Sequence, residues 1–163
     1  MQECRADIKK IIASLDLSSY SETTFLHALT LAKSLGAELI LLSVINSRGL
    51  EQIERLSAQG FGVSREKYVE TAIADRKAEF EKEYLSRAAG VPCRLVFREG
   101  LPWEQIVKAI KQEEADMLVM GTKGRSNLAG ALFGSTAEKV FRHAPCPVIS
   151  VRGPEHCRLP GTV

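Results

Sequence analysis

The sequence predicts an α/β protein with an open parallel β-sheet and helices on both of its faces. Short apolar segments alternate along the chain with longer segments that have helical periodicity. The apolar segments are continuous rather than alternating, which is typical of strands that are covered on both faces. Because such alternation requires βαβ crossovers, the strands are expected to run parallel in one sheet.

The first third of the chain contains two strands and the helix between them. Residues 8–15 form a short segment rich in β-branched residues, which predicts a buried strand. Apolar residues at helical spacing over 25–35 predict a helix, and Gly36 stands where a left-handed C-terminal cap is expected. The continuous apolar run over 39–45 predicts the second strand.

The middle of the chain is less regular. Residues 46–64 hold three glycines around a short helix candidate at 50–57, and we interpret this segment as a surface excursion or lid. A long helix is predicted over 65–89, with Gly90 ending it. Residues 93–97 then predict the third strand.

The last third of the chain repeats the alternation. Pro102 is well placed in the first turn of a helix, and an apolar strand follows at 115–120. A helix over 135–143 and a last strand at 148–151 complete the predicted core.

The composition is that of one globular domain of 163 residues, with a core of about 8–152 and a loose C-terminal tail at 153–163. The 22 basic and 20 acidic residues give a net charge of +2, far from the strongly basic character of a nucleic-acid binder. No apolar run approaches the roughly 20 residues of a membrane helix. The charged N-terminus lacks the hydrophobic region of a signal peptide. We therefore expect a cytoplasmic protein with no nucleic-acid partner and no membrane insertion.

The four cysteines are scattered, with no C-x-x-C pair and no histidine at zinc-ligand spacing. This pattern favours reduced thiols rather than a disulfide framework or a zinc site. Cys93 and Cys146 adjoin strand candidates, so we expect them to act as small buried hydrophobic residues.

Two segments fall at the carboxyl ends of predicted strands, where open α/β sheets bind their ligands. Residues 14–16 close the first strand, and a glycine-rich loop at 121–136 follows the fourth. Gly121 and Gly124 allow a close approach of backbone to ligand and a positive φ.

The end of this loop opens a helix. Gly134, Ser135 and Thr136 would present unpaired N–H groups, two hydroxyls and the positive end of the helix dipole, which together favour a phosphate group. Lys123 and Arg125 add positive charge nearby.

Simpler interpretations stay open on spacing alone. The glycines fit a tight turn as well as a phosphate loop, and Ser135 fits an ordinary helix cap. Asp16 fits a cap for the following helix, a role that is compatible with ligand contact. The loop contains neither a Walker A motif nor the dinucleotide fingerprint, since its glycines follow the fourth strand.

The spacing of the loop is similar to that of a known nucleotide-binding motif. Gly121-x2-Gly124-x9-Gly134-Ser135 resembles the G-x2-G-x9-G-[S/T] motif of the universal stress protein family. The resemblance covers residues 8–152. Its other matching segments are the strand ending at Asp16, the helix end at 32–39, the strand at 115–121 and the segment at 144–148.

The resemblance implies a Rossmann-like, adenine nucleotide alpha hydrolase-like fold with strand order 3-2-1-4-5. It also implies a homodimer formed through the last strand, 148–151. Asp16 would correspond to the family's acidic residue near the ribose or adenine, and Val44 to the apolar residue beside the adenine. The remaining implied contacts are Ser14 and Leu15 before the aspartate, Met120, Gly121, Lys123, Gly124 and Arg125 in the phosphate loop, and Gly134, Ser135 and Thr136 at phosphate oxygens.

One position departs from the family pattern. Ser14-Leu15 stands where many nucleotide-binding relatives have a proline and a polar residue before the aspartate. Because that contact is mostly made by backbone, the departure weakens the resemblance only slightly.

The resemblance implies a cytosolic stress-response regulator that binds ATP or another adenine nucleotide and acts as a homodimeric switch on an unknown regulatory protein. Mg²⁺ would be held mainly by phosphate oxygens, with Asp16 as the nearby carboxylate. Two alternatives stay open: a dimeric scaffold that binds no nucleotide, and a slow ATP hydrolase. No Ser-His-Asp or Cys-His set is found around the loop, so the sequence does not indicate efficient catalysis.

Overall fold

The computed structural model of the protein describes residues 7–59, 64–124 and 133–154. Its five strands are parallel and form one sheet in the order β3-β2-β1-β4-β5. The predicted fold class and strand order are therefore confirmed. The strands are β1 (Lys10–Ser14), β2 (Glu38–Asn46), β3 (Cys93–Gly100), β4 (Met117–Gly121) and β5 (Val148–Val151).

Five α-helices connect these strands in the described part of the chain. They are α1 (Ser21–Leu35), α2 (Ser47–Ala58), α3 (Arg65–Glu83), α4 (Pro102–Gln112) and α5 (Ser135–His143). None of the described helices is both long enough and apolar enough to cross a membrane.

The core consists of two layers, one on each face of the sheet. Helices α1 and α3 cover one face, where Phe25 and Phe80 are fully buried. Helices α4 and α5 cover the other, where Ile110 and Val140 are buried against Ile12. Because both faces are covered, successive residues of β2 from Leu39 to Leu42 are all 0% exposed. This double coverage explains the continuous apolar runs of the sequence.

Helix α1 ends as the sequence predicts. Gly36 has a φ of 64°, in the left-handed region, and the Ala37 N–H donates to Ala32 O at 2.9 Å. A glycine in this conformation lets the chain turn directly into β2.

The predicted helix over 65–89 is too long. α3 ends at Glu83, and a 3-10 turn over Leu85–Arg87 follows it. The Tyr84 ring packs between two phenylalanines, 5.0 Å from Phe25 and 5.3 Å from Phe80 between ring centroids. The helix therefore ends where Tyr84 packs into the core, although apolar residues at helical spacing continue in the sequence as far as Ala88.

Three other features bear on the sequence predictions. α2 begins at Ser47 rather than residue 50, so most of the predicted excursion is helical.

Cys93 and Cys146 are free and half-buried, and burial raises the pKa of each thiol to about 11. Both are therefore protonated near neutral pH. The predicted tail lies almost entirely outside the described residues, which end at Pro154.

Candidate functional site

A pocket of about 380 Å³ lies at the carboxyl end of the sheet, a size typical of small-molecule sites. The structure brings together in its lining every site residue that the sequence predicts, with the exception of Arg125. That residue lies outside the described part of the chain. The predicted residues in the lining are Ser14, Leu15, Asp16, Val44, Met120, Gly121, Lys123, Gly124, Gly134, Ser135 and Thr136.

The carboxylate of Asp16 is oriented by the turn that follows β1. Its Oδ1 accepts hydrogen bonds from the Ser18 N–H at 3.0 Å and from the Ser21 hydroxyl at 3.3 Å. Leu17, inside this turn, has a φ of 60°, which costs a non-glycine residue about 1–2 kcal/mol. The N-cap of α1 is Tyr20, so Asp16 stabilises the turn before the helix rather than the helix end. This bonding leaves Asp16 in the pocket lining, and the two roles coexist.

Gly124 lies against this carboxylate. A Cβ atom built on Gly124 would overlap Asp16 Oδ2. At Gly121, a Cβ would lie 2.8 Å from Lys123 O and 3.0 Å from Tyr20 Cβ. Gly121 therefore requires glycine, because one of its neighbours is backbone. At Gly124 a side chain would displace the Asp16 carboxylate, which two hydrogen bonds orient. Neither glycine uses the positive φ that its lack of a side chain allows.

Two backbone hydrogen bonds fix the ends of the glycine-rich loop. The Gly134 N–H donates to Thr122 O at 2.8 Å, and the Thr122 N–H donates to Val151 O at 2.8 Å. The loop is thus closed on itself and attached to β5. Gly134 itself is not crowded, since its nearest neighbour to an added Cβ is Lys123 Cα at 3.5 Å. Residues 125–132 lie outside the described part of the chain.

The N-terminus of α5 completes this side of the pocket. The first N–H groups of a helix have no partner within it, and the helix dipole makes this end positive. Ser135 and Thr136 lie in that first turn, and Lys139 lines the pocket one turn further along. Together with Lys123 they make this wall suitable for an anion such as a phosphate.

The residues that approach the pocket from the β2 side were not predicted from the sequence. Arg76 lies in the middle of α3, and its Nη1 donates to Ser43 Oγ at 2.9 Å and to Val44 O at 3.0 Å. Asn46 and Arg48 line the same wall. No local pattern could identify Arg76, because its position depends on how α3 crosses the sheet.

A second missed group follows β3. Leu101, Pro102 and Trp103 line the pocket at the start of α4. The same rule that identified residues 14–16 would have found them, since they directly follow the carboxyl end of a strand. The Trp103 ring is half-buried, and Lys139 Nζ lies 5.6 Å from its centroid. The other missed lining residues are Ile106, Ala137 and Lys139.

The charged residues of the lining are mostly cationic. Arg48, Arg76, Lys123 and Lys139 all line the pocket, whereas Asp16 is the one carboxylate among the described lining residues. The described part of the chain also contains no group of three or more His, Cys, Asp or Glu residues able to hold a metal ion. The pocket therefore suits an anionic ligand, and a divalent cation would depend mainly on oxygens of that ligand.

Comparison with known proteins identifies the family. The model of the universal stress protein family matches residues 7–152. The chain belongs to the universal stress protein family. This confirms the resemblance, and the match has nearly the bounds expected from the sequence motifs.

Individual universal stress proteins are similar over most of their length. Universal stress protein MJ0531 of Methanocaldococcus jannaschii is 32% identical over 148 residues, covering 90% of this chain and 84% of the relative. The solved structure of MJ0577, from the same organism, matches with a TM-score of 0.73 at 27% identity and covers 90% of this chain and 97% of that chain. A universal stress protein in complex with cAMP shares the fold, with a TM-score of 0.58 at 22% identity, covering 90% of this chain and 98% of that chain.

Proposed function

We propose that this protein is a cytosolic stress-response regulator that binds an adenine nucleotide, ATP with Mg²⁺, in the pocket. One observation carries the proposal: the Asp16 turn, the glycine-rich loop and the N-terminus of α5 converge on a single cationic cavity. The contact between Gly124 and Asp16 supports it, because it brings the glycine-rich loop against the carboxylate at the end of β1.

Each part of the pocket has a corresponding role in nucleotide binding. The phosphate chain would lie along Lys123, Ser135 and Thr136, where the helix dipole and hydroxyls favour negative charge. The ribose would lie beside Asp16, and the base beside Val44. By the family motif, Arg125 would also contact the phosphates. Mg²⁺ would be coordinated mainly by phosphate oxygens, with Asp16 the nearest carboxylate among the described lining residues.

The family supports a nucleotide as the ligand class. One universal stress protein has been solved in complex with cAMP, which is itself an adenine nucleotide.

A direct test is to look for nucleotide that purifies with the protein. The protein is denatured by heat and removed, and the supernatant is analysed by anion-exchange chromatography with ultraviolet detection. Near-stoichiometric ATP or ADP is expected from the wild type and none from Gly124→Val. An empty wild-type supernatant, with no thermal shift in millimolar Mg-ATP, would contradict the proposal and favour the scaffold alternative. A turnover assay then separates a sensor from a slow hydrolase, since a sensor retains its nucleotide without releasing product.

We further propose that the protein is a homodimer that pairs through β5. This strand is at the edge of the sheet, and an edge strand presents unpaired backbone N–H and C=O groups. Its side chains at Val148, Ile149 and Ser150 are only half-buried. Pairing with a second copy would cover them and would link the dimer to the loop through the Thr122–Val151 hydrogen bond. A nucleotide-dependent change in the loop could then reach a regulatory protein partner through the dimer.

The dimer is tested by light scattering coupled to size-exclusion chromatography. Ser150→Lys places a charge on the edge strand and is expected to give a monomer. Ser57→Lys makes the same change at an exposed position of α2 and should leave a dimer. A wild-type protein that elutes as a monomer at micromolar concentration would contradict the proposal.

A further inference from the structure

A second pair of cations lines the pocket on the side opposite the glycine-rich loop. Arg48 follows β2, whereas Lys123 follows β4, and β1 lies between these two strands. Neighbouring strands are about 4.8 Å apart, so the two sides of the pocket are separated by about 10 Å. The pocket therefore has two cationic walls with Asp16 between them.

Packing and hydrogen bonds fix the place of Arg76 on this wall. Its two hydrogen bonds from Nη1 hold the guanidinium at the end of β2, where Ser43 is 0% exposed. One turn further along α3, Phe80 is fully buried and anchors the helix on the sheet. The charge is thus positioned by the core and is not that of a loose surface side chain.

The backbone of Arg48 is also held in place, whereas its side chain is exposed. Its backbone N–H donates to Asn46 Oδ1 at 3.0 Å in the first turn of α2. Leu50, half a turn on, is 1% exposed and holds this turn against the rest of the molecule. Two arginines from different helices therefore line one wall.

A simple mononucleotide bound by the glycine-rich loop would place no phosphate at this wall. With its phosphates at the glycine-rich loop, such a ligand would present an uncharged base and ribose to the two guanidinium groups. Guanidinium groups bind phosphate strongly because their planar donors match two of its oxygens at once. The second wall is therefore suited to a second phosphate.

We infer that Arg48 and Arg76 form a second anion subsite, and that the preferred ligand is an adenine nucleotide with a further phosphate on the 2′ or 3′ oxygen of its ribose. The 5′ phosphates then lie at the glycine-rich loop and the ribose phosphate at the arginine wall. This inference rests on the proposed nucleotide function and specifies the ligand within the same pocket.

The test compares ligands that differ only in where their phosphates are. Isothermal titration calorimetry measures Kd for AMP, for ADP, and for adenosine 2′,5′- and 3′,5′-bisphosphate. ADP has the same number of phosphates as the bisphosphates, so it controls for total charge. At least one bisphosphate is expected to bind about tenfold or more tightly than both AMP and ADP, as a charge-assisted contact predicts.

Variants then assign that preference to the wall. Arg48→Gln and Arg76→Gln should each bring the ratio of the AMP Kd to the bisphosphate Kd close to one. Arg55→Gln removes the same charge from an exposed position of α2 outside the pocket lining and should keep the wild-type ratio. Because Arg76 also holds Ser43 and Val44, thermal denaturation checks that its variant is folded. Arg48 is exposed, so the Arg48 variant decides the test if the Arg76 variant is not folded.

The outcomes separate this inference from the proposed function. If AMP and ADP bind as well as both bisphosphates, or if the ratio survives in Arg48→Gln, the second subsite is overturned and nucleotide binding stands. If none of the four nucleotides binds, both the proposed function and the subsite fail.

Discussion

The charged residues at the amino end of the sheet differ in composition from those that line the pocket at its carboxyl end. At the amino end, Arg94 Nε donates to Glu38 Oε1 at 2.6 Å and Arg94 Nη2 to Glu113 Oε2 at 2.6 Å. Lys10 Nζ also donates to Glu113 O at 3.0 Å. Basic and acidic groups from β1, β2, β3 and the end of α4 are thus paired within the protein.

The pocket at the carboxyl end has a different set of charged residues in its described lining. Four cationic side chains share the pocket with one carboxylate, and the backbone there is shaped by close contacts at Gly121 and Gly124. Charges that compensate each other stabilise a fold, whereas an excess of one sign around a cavity favours a ligand of the opposite sign. The comparison therefore supports a structural role for the charges at the amino end and the proposed ligand binding at the carboxyl end.

The largest expected effect comes from filling the space beside Asp16. In Gly124→Val the new side chain collides with a carboxylate that Ser18 and Ser21 already hold in place. We expect the affinity for Mg-ATP to fall by about a hundredfold or more, equivalent to at least about 2.7 kcal/mol. Calorimetric titration measures the affinity, and thermal denaturation shows whether the variant is folded.

Gly49→Val is the matched control, because a Cβ built on Gly49 meets nothing within 4 Å and Gly49 lies outside the pocket lining. It should bind Mg-ATP within a few-fold of the wild type. Equal affinity in Gly124→Val and the wild type would rule out the assignment of the glycine-rich loop to ligand binding.

A smaller effect is expected from removing the carboxylate itself. Asp16→Ala should weaken ATP binding by about 1–3 kcal/mol, since a buried or charge-assisted hydrogen bond is lost. It also removes the acceptor of the Ser18 N–H, so the free energy of unfolding should fall as well.

Asp16→Asn separates these two roles. An asparagine keeps an oxygen for the Ser18 N–H but has no charge, so thermal stability should stay near that of the wild type while ATP binding weakens. Unchanged affinity in both Asp16 variants would leave the residue with its turn role alone.

The sequence predicted most of the fold because the periodicity of the apolar residues follows the packing. The run over 39–45 is continuous since both faces of β2 are covered. The prediction failed at the end of α3 for a specific reason. Phe80, Tyr84 and Ala88 keep helical spacing in sequence and are all buried, although a 3-10 turn interrupts the helix between them.

The residues of the candidate site also fall into two groups, those that the sequence could predict and those that it could not. Residues 14–16 and the glycine-rich loop were predictable, because they directly follow strands and their spacing matches a family motif. Arg76 was not predictable, since it lies within a helix and reaches the pocket only through tertiary packing. A local pattern can identify a loop that contacts a ligand but not a side chain that arrives from another element.

The smallest expected effect is on the free energy of unfolding. It tests whether the paired charges at the amino end of the sheet stabilise the fold. Hydrogen bonds from Arg94, and the charges of Arg98 and Lys10, hold the pKa of Glu113 below its ordinary value. An unfolded chain therefore takes up a proton at this residue before the folded protein does as the pH falls. The stabilisation is present above the ordinary glutamate pKa of about 4.3 and is lost below it.

Glu113→Gln should accordingly lower the free energy of unfolding at pH 7 by up to about 1 kcal/mol, the scale of a partly exposed ion pair. The difference from the wild type should shrink as the pH is lowered toward about 3. Chemical denaturation at several pH values measures it, with Glu114→Gln, the exposed neighbour, as the control. ATP affinity should be unchanged in both variants. A loss of binding in Glu113→Gln would show that the two ends are coupled, and the division between stability and binding would fail.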